Sequence, residues 1–206
     1  MIAIIDYGMG NVRSVYNAFD FIGEDVEITA DPQKIANASR IVLPGVGAFG
    51  KAMLNLNERG LVEILHREVL EKGKPFLGIC LGMQLLTQSS SEHGFTKGLG
   101  WIPGKVRMFD LSNSQLKLPH MGWNDITTKI SHPVFDNLRE DHFTFFFVHS
   151  YHIIIENQKD IAATCEYGYN FTASIARDNI FATQFHPEKS QDNGIQVLEN
   201  FVKWEC

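Results

Sequence analysis

The sequence has no long apolar run and only three cysteines among its 206 residues. No apolar stretch approaches the roughly 20 residues that cross a bilayer. Asp6 also follows Met1 too soon for the apolar core of a signal peptide. The number of cysteines is odd, which argues against a disulfide framework. The spacing of Cys80, Cys165 and Cys206 is also not that of metal ligands. We therefore expect a soluble protein of the reducing cytoplasm, with no membrane partner.

The sequence also has no cluster of basic residues. It contains 18 Lys and Arg against 24 Asp and Glu, a formal net charge of −6. Because binding to phosphates requires a basic surface, this balance argues against a nucleic-acid partner. Small molecules and other proteins remain as the expected partners. The length is sufficient for one large domain with a full hydrophobic core.

The first part of the chain alternates short apolar segments with amphipathic ones. The spacing predicts strands at 2–5, 26–29, 40–43 and 76–79, separated by helices at 12–22, 32–36, 51–58 and 61–71. Such alternation predicts an α/β fold with an open, mostly parallel sheet flanked by helices, as in flavodoxin. The functional loops of this fold gather at the carboxyl edge of the sheet.

The second part is rich in β-branched and aromatic residues. After a helix that runs from residue 81 to about 87–90, the pattern predicts additional antiparallel strands and a helix at 193–204. The strands are expected at 105–109, 124–128, 143–148, 152–155, 161–165, 171–176 and 180–184. Segment 118–124 reads as a loop, either part of the core or an exposed contact patch. Because no linker or repeat separates the two parts, we predict a single domain over residues 1–206.

Cys80 lies where a predicted strand passes into a predicted helix. With Gly78 and Gly82 it forms a G-x-C-x-G sequence, the thiol version of a nucleophile elbow, whose tight turn leaves no room for neighbouring Cβ atoms. Unpaired N–H groups and the dipole at a helix N-terminus favour the thiolate. The motif predicts a nucleophile, and the alternative is a buried structural cysteine packed against the sheet.

A cysteine nucleophile needs a base, and His186 stands out among the eight histidines. His186-Pro187-Glu188 directly follows the last predicted strand, where a sheet delivers side chains to its active edge. A carboxylate two residues further on can reach the outer imidazole nitrogen and fix the tautomer. Cys80, His186 and Glu188 would then form a catalytic triad. The alternative is an ordinary solvent-exposed turn.

Other patterns give weaker indications of chemistry. The glycine-rich turn at 6–11 lacks both the dinucleotide-binding fingerprint and the P-loop Lys-Ser/Thr, so it predicts no nucleotide cofactor. His149 and His152 have no third ligand at metal spacing. We predict neither a metal nor a cofactor, and we expect Cys165, inside an apolar segment, to lie in the core.

Combined in this order, the motifs resemble class I (triad) glutamine amidotransferases over essentially the whole chain. The matching segments are 6–11, 44–47, 78–84, 119–124, 147–151 and 184–190. The resemblance implies hydrolysis of L-glutamine to glutamate and ammonia through a γ-glutamyl thioester on Cys80. His186 would act as general base and acid, and Glu188 would orient it.

The resemblance also implies the rest of the active site. The Leu81 N–H, next to the nucleophile, and the Val46 amide would form the oxyanion hole. Glycines on both sides of Val46 would allow its peptide to flip, so that this half of the hole forms on demand. The implied glutamine-binding residues are Gly47, Gln84, Glu92, Ser150 and Tyr151. For Ser150 and Tyr151 the alternative is a strand-end turn whose aromatic ring merely packs.

Within the family, the resemblance narrows to subunits that supply ammonia to another enzyme. These glutaminases form a heterodimer with a (β/α)₈ cyclase, channel ammonia to it for imidazole glycerol phosphate synthesis in histidine biosynthesis, and are activated by the cyclase's ligand. The isolated chain is therefore expected to be nearly inactive. The implied contact residues, with Trp123 as the anchor, are Asn11, Pro119, His120, Met121, Trp123 and Lys189.

Several alternatives share parts of this pattern. One alternative keeps the glutaminase chemistry but supplies ammonia for amidino-sugar formation in surface polysaccharides. A second is a partner-binding module that has the fold but no catalytic activity. A third is a cysteine peptidase or deglycase with the same elbow. The complete triad argues against a silent module, and the His-Pro-Glu-Lys-Ser ending argues against a peptidase. The sequence departs from the usual family pattern at Ala182, where glycine is common, and at His152, where another aromatic residue is common.

Overall fold

The alternating part of the chain forms a parallel sheet, as predicted. A computed structural model describes residues 1–112, 114–138 and 143–206. Helix α4 continues into a π-helical turn, and β1, β3 and β4 are parallel neighbours, with β2 paired to β1. These elements are β1 (Ile2–Ile5), α1 (Val12–Phe21), β2 (Val26–Thr29), α2 (Pro32–Asn37), β3 (Arg40–Gly45), α3 (Phe49–Glu58), α4 (Leu61–His66) and β4 (Phe76–Cys80).

The rest of the chain extends this sheet and adds a second one. Its elements are α5 (Leu81–Leu85), β5 (Thr87–Ser90), β6 (Thr96–Lys97), β7 (Ile102–Met108), β8 (His120–Thr128), β9 (Thr144–His149), β10 (Tyr151–Ile155), β11 (Ile161–Glu166), β12 (Asn170–Arg177), β13 (Ile180–Thr183) and α6 (Gln191–Lys203). The large sheet has the order β2-β1-β3-β4-β13-β12-β11-β8-β9, and the small one β10-β7-β5-β6.

Strand directions agree with the predicted fold class. Strand β13 pairs in parallel with β4, whereas β12, β11, β8 and β9 follow in antiparallel pairs. The prediction of an α/β fold with a mostly parallel first part and additional antiparallel strands is confirmed. Among the described residues, no helix combines the length and the apolarity needed to span a membrane. The assignment of residues 1–206 to one domain stays a prediction.

Both faces of the parallel sheet are covered. Ile2 and Ile4 pack in one apolar cluster with residues of α1 and α6, while Ala3 and Ile5 pack in another with residues of α2, α3 and α4. All four side chains are buried. A strand buried on both sides reads as a continuous apolar run, which explains why β1 was recognisable in the sequence.

The predicted helix after Cys80 is shorter than expected. It ends at Leu85, and Thr87–Ser90 forms β5, which pairs with β7. The Thr87 hydroxyl donates a hydrogen bond to the Gln84 carbonyl at 2.9 Å, taking up a carbonyl that the helix no longer satisfies. A threonine and three neighbouring polar residues favour leaving the helix here, since their side chains compete for the backbone.

Segment 118–124 is a second correction, because most of it is a strand rather than a loop. Strand β8 begins at His120 and pairs with β9, so that Trp123 lies opposite Phe146. Met121 and Trp123 are 68% and 48% exposed, whereas His120 is buried. Proline and glycine suggested a turn, but pairing with a strand more than 20 residues away prevails over local propensity.

We predict that Gly82→Ala destabilises the protein. A Cβ atom at Gly82 would lie 1.8 Å from the Leu43 carbonyl oxygen, a backbone atom that cannot move aside. The free energy of unfolding should fall by at least about 1–3 kcal/mol, the usual cost of overpacking. Urea denaturation followed by circular dichroism measures this change.

Gly50→Ala is the matched control, since Gly50 lies in α3 and the nearest atom to an added Cβ there is the Thr96 hydroxyl, at 3.3 Å. Alanine in a helix is favoured over glycine by about 1 kcal/mol, so this variant should be neutral or more stable. Equal stability of Gly82→Ala and Gly50→Ala would contradict the steric argument.

Candidate active site

Three strand ends meet at the carboxyl edge of the parallel sheet. Strand β3 ends at Gly45, which lies beside Cys80 in the register of β3 and β4. Strand β13 pairs with β4 on its other side and leads directly to His186. The predicted meeting of the Pro44 loop with Cys80 is confirmed. A cleft of about 490 Å³ opens at this edge.

Cys80 occupies a strained turn between β4 and α5. Its φ and ψ are 54° and −105°, a conformation that residues other than glycine rarely adopt. A Cβ at Gly78 would lie 3.0 Å from the Gly82 carbonyl oxygen, and one at Gly82 would overlap Leu43. The predicted lack of room beside Cys80 is confirmed, and Cys80 lines the cleft. Cys165 is buried in β11, where burial raises the pKa of its thiol to about 12.

His186 and Glu188 meet at the same edge. The Nδ1 atom of His186 lies 2.8 Å from Oε1 of Glu188, and the two side chains are 2% and 1% exposed. The solvent-exposed turn considered as the alternative is therefore wrong. Ser190 holds this turn, because its hydroxyl donates to the His186 carbonyl at 2.7 Å and accepts from the Phe146 N–H at 3.0 Å.

The electrostatics of this group favour a charged imidazole. Burial lowers the pKa of His186, but the negative charge of Cys80 and the hydrogen-bonded Glu188 carboxylate outweigh burial and raise it to about 10. Nε2 of His186 is buried and has no hydrogen-bond partner among the residues that the structure describes. One nitrogen is thus held by Glu188 while the other remains available. Cys80 and Glu188 both act on the His186 imidazole, and the catalytic roles of all three residues stay predictions.

Gln184 completes the surroundings of the thiol and was missing from the predicted site. Its Nε2 donates to Cys80 Sγ at 3.6 Å, and its Oε1 accepts from Gln84 Nε2 at 2.9 Å. Two signals could have identified it. It precedes His186 by two residues, so the alternation of an extended chain places both side chains on one face. It also follows Thr183, which pairs with Ile79, and is therefore level with Cys80.

The loop after β3 lines the cleft with its predicted oxyanion residue. Val46 and Gly47 both face the cleft beside Cys80. Gly47 has a φ of 105°, which favours glycine, whereas a Cβ at Gly45 would lie 2.3 Å from the Tyr7 hydroxyl. Leu81 is the first residue of α5, so its N–H has no carbonyl partner within the helix. The roles of Val46 and Leu81 in an oxyanion hole stay predictions.

The cleft brings together all five residues expected to bind glutamine. Gln84 Nε2 donates to the Tyr151 carbonyl at 2.9 Å as well as to Gln184, so both its N–H groups are used and Oε1 is left for a ligand. Glu92 Oε2 accepts from the Phe49 N–H at 2.7 Å, at the start of α3. Burial, and then the charge of Glu92, raise the pKa of Tyr151. The lining includes Gly47, Gln84, Glu92, Ser150 and Tyr151.

Three residues expected to contact a partner lie on the surface beside the cleft. The Trp123 ring stands edge-on to Phe146 at 6.0 Å, and Lys189 Nζ lies 5.9 Å from the Phe146 ring centre. With Met121, which precedes Trp123 on the same side of β8, these side chains form a surface that we call the β8 face. It consists of Met121, Trp123, Phe146 and Lys189.

The other expected contact residues lie elsewhere. His120 is 3% exposed and stacks between Phe147 and Tyr167, so it does not belong to the contact surface. The alternation of β8 turns it inward, away from Met121 and Trp123. Pro119 lines the cleft. Asn11 follows β1 and accepts a hydrogen bond from the Ser14 hydroxyl at 2.6 Å.

The two histidines that were considered as a metal pair are engaged in hydrogen bonds. His149 contacts the Tyr151 carbonyl at 2.8 Å and His120 at 3.0 Å, while His152 Nε2 lies 2.9 Å from the Tyr169 hydroxyl. Within residues 1–112, 114–138 and 143–206, no group of three His, Cys, Asp or Glu side chains is arranged to hold a metal ion.

Known proteins are similar to this chain in sequence and in fold. Residues 3–204 match the family described as glutamine amidotransferase class-I. A relative from Nitrobacter winogradskyi, named imidazole glycerol phosphate synthase subunit HisH 2, is 52% identical over 207 residues, 98% of each chain. One from Sulfurimonas denitrificans, named imidazole glycerol phosphate synthase subunit HisH, is 53% identical over 206 residues, 99% of this chain and 98% of its own. The structure described as PurLQS from Thermotoga maritima shares the fold, with a TM-score of 0.76, 18% identity and coverage of 98% and 97%.

We predict that Cys80→Ala lowers the pKa of His186, because it removes the negative charge that keeps the imidazole protonated. NMR of ¹⁵N-labelled histidine should show His186 titrating near pH 10 in the parent chain and at lower pH in the variant. In the parent, the raised pKa stabilises the fold fully below about pH 6.5, and this contribution is lost as the pH rises through about 10. In Cys80→Ala the loss should occur at lower pH.

Cys165→Ala is the control, because that cysteine lies outside the cleft lining and should leave the His186 titration unchanged. An unaltered His186 pKa in Cys80→Ala would show that the thiol carries no charge that the imidazole senses.

Proposed function

The chain belongs to the class I glutamine amidotransferases, and we propose that it is the glutaminase subunit of an imidazole glycerol phosphate synthase. In this role it hydrolyses L-glutamine and passes ammonia to a (β/α)₈ cyclase that makes imidazole glycerol phosphate and AICAR in histidine biosynthesis. The observation that carries the proposal is the buried His186–Glu188 pair beside Cys80. Relatives more than 50% identical over nearly the whole chain bear that subunit name, which supports histidine biosynthesis over amidino-sugar formation.

The first half of the proposed reaction forms the thioester. Cys80 Sγ, its proton held by His186, attacks the side-chain amide carbon of glutamine and gives a tetrahedral intermediate. His186 then donates its proton to the leaving nitrogen, the C–N bond breaks, and ammonia departs. Glu188 supports this sequence because its hydrogen bond to Nδ1 keeps Nε2 directed toward the reacting atoms.

The second half releases glutamate. Water gives a proton to His186 and attacks the thioester carbonyl, after which the C–S bond breaks and the Cys80 thiolate is restored. Both tetrahedral intermediates carry an oxyanion, which we assign to the N–H groups of Leu81 and Val46. One such donor contributes about 2.7–4 kcal/mol in comparable enzymes. The Gly47 conformation leaves the Val46 half of the hole adjustable.

The amino-acid end of glutamine requires acceptors for its α-ammonium group and donors for its carboxylate. Gln84 Oε1 and the Glu92 carboxylate are the acceptors in the cleft, and the Ser150 hydroxyl is a donor. Because both N–H groups of Gln84 are already used, we assign this residue to the ammonium end. Tyr151 closes the pocket beside Glu92.

The β8 face is the proposed docking surface for the cyclase. Trp123 is 48% exposed and Met121 68%, and an aromatic residue at the centre of an exposed patch is the usual anchor of an interface. Lys189 follows Glu188 directly, so the docking surface and the triad share one turn. Docking next to the cleft gives ammonia a short path into the partner.

We predict that Cys80→Ala separates the two activities of the complex. With the cognate cyclase and its nucleotide substrate, the variant should lose synthesis from glutamine and retain synthesis from ammonium salts, because only ammonia production needs the thiol. Ultraviolet absorbance of the products measures both reactions. The parent chain without the cyclase should hydrolyse glutamine only slowly.

Cys165→Ala should retain both activities, since this cysteine is buried in β11 away from the cleft. Loss of both activities in Cys80→Ala would identify Cys80 as a structural residue and refute the proposed mechanism.

We predict that Trp123→Ala weakens binding to the cyclase. Truncating an interface anchor costs at least about 2 kcal/mol, which corresponds to a rise in Kd of about 30-fold. Isothermal titration calorimetry measures the Kd, and circular dichroism verifies the fold. Phe21→Ala is the control, because Phe21 is 77% exposed and lies at the far end of α1. Equal Kd values for the two variants would remove the β8 face as the docking surface.

A further inference from the structure

A chain of hydrogen bonds connects β8 with the wall of the cleft. Asn124 Nδ2 lies 3.2 Å from His120 Nε2, and His120 Nδ1 lies 3.0 Å from His149 Nε2. His149 Nδ1 in turn lies 2.8 Å from the Tyr151 carbonyl oxygen. This series of hydrogen bonds therefore begins on β8, the strand that carries Trp123, and ends at Tyr151, which lines the cleft.

The Tyr151 carbonyl at the end of this chain fixes the direction of every hydrogen bond in it. A carbonyl oxygen only accepts, so His149 Nδ1 carries a proton and, in a neutral ring, Nε2 accepts from His120. His120 Nε2 then accepts from the Asn124 amide. Burial lowers the pKa of His149 to about 3 and that of His120 to about 4, which keeps both rings neutral. The three links thus select one tautomer for each ring.

A second set of bonds connects the same carbonyl with the thiol. Gln84 Nε2 donates to the Tyr151 carbonyl and to Gln184 Oε1, each at 2.9 Å. Gln184 Nε2 then donates to Cys80 Sγ at 3.6 Å. The Tyr151 carbonyl is therefore the shared acceptor of two arms, one from β8 and one from the thiol.

The histidine nitrogens are not needed for packing. His120 stacks on Phe147 at 4.8 Å and on Tyr167 at 4.0 Å, contacts that a phenylalanine ring would also make. His152 belongs to the same aromatic cluster, with its ring 4.5 Å from Phe109, and its Nε2 bonds to the Tyr169 hydroxyl rather than to the cleft. The cluster thus contains two buried histidines on the chain of hydrogen bonds, His120 and His149, and a comparable one, His152, outside it.

We propose that His120 and His149 are positioning residues for the glutaminase reaction. They fix the Tyr151 carbonyl, and through Gln84 and Gln184 the Cys80 thiol, in a geometry set by strand β8. A protein seated on the β8 face contacts Met121 and Trp123, whose neighbours His120 and Asn124 lie on the opposite side of the same strand. This inference rests on the proposed function of the cleft.

The test compares His120→Phe with His152→Phe in the complex with the cyclase. Each variant replaces a buried histidine by a ring of similar size and removes a buried hydrogen bond. His120→Phe should lower kcat/KM for glutamine about tenfold, because His149 Nε2 loses its donor and the Tyr151 carbonyl its fixed position. His152→Phe should stay within about twofold of the parent. Synthesis from ammonium salts should be unchanged in both.

Two further variants separate positioning from stability. His120→Asn places an amide donor near the position of Nδ1 and should recover part of the loss. Asn124→Leu removes the first donor of the hydrogen-bond chain, at the edge of the aromatic cluster, and should lower kcat/KM about threefold. It replaces His120→Phe as the test if that variant does not fold. This loss should vanish when Asn124→Leu is combined with His120→Phe, if the two residues act through one path.

Equal kcat/KM values for His120→Phe and His152→Phe would overturn the proposal while leaving the glutaminase function intact. An Asn124→Leu variant with the parent kcat/KM would also overturn it. A parent complex that does not hydrolyse glutamine would instead overturn the proposed function, and this inference with it.

Discussion

The close approach of α5 to β3 is the constraint on which the site depends. Gly82 lies so near the Leu43 carbonyl that no Cβ fits between them. This contact holds the start of α5 against the sheet and forces Cys80 into its strained turn, with φ at 54°. The turn places Cys80 in the lining of the cleft. Strain at one residue is tolerable because strands on both sides of β4 determine its position.

The buried charges around Cys80 need the same rigidity. A charged imidazole is costly to bury unless its partners are fixed, and Glu188 and Cys80 supply the negative charge that raises the pKa of His186 to about 10. Ser190 secures the turn that carries His186 by linking it to β9. Strand β9 also pairs with β8, so the base is anchored to the strand that carries the β8 face.

The parts that were predictable from the sequence depend on short-range rules. The strand-turn-helix units, the G-x-C-x-G elbow and the His186–Glu188 pair each lie within a few residues, so sterics and side-chain reach decide them. Gln184 could have been predicted by such a rule, since it lies two residues before His186 and level with Cys80. It was overlooked because an amide at a strand end has no motif of its own. Its significance comes only from the thiol on the neighbouring strand.

The features that were not predictable depend on pairing between distant segments. Segment 118–124 resembles a loop because proline, glycine and tryptophan occur together, but from His120 onward it pairs with β9 and is extended. Once it is a strand, alternate residues must face opposite ways. Met121 and Trp123 then share the surface, and His120 and Asn124 meet His149 in the interior. The sequence left open whether this segment is buried or exposed, and the strand has one face of each kind, because its alternate residues face opposite sides of the sheet.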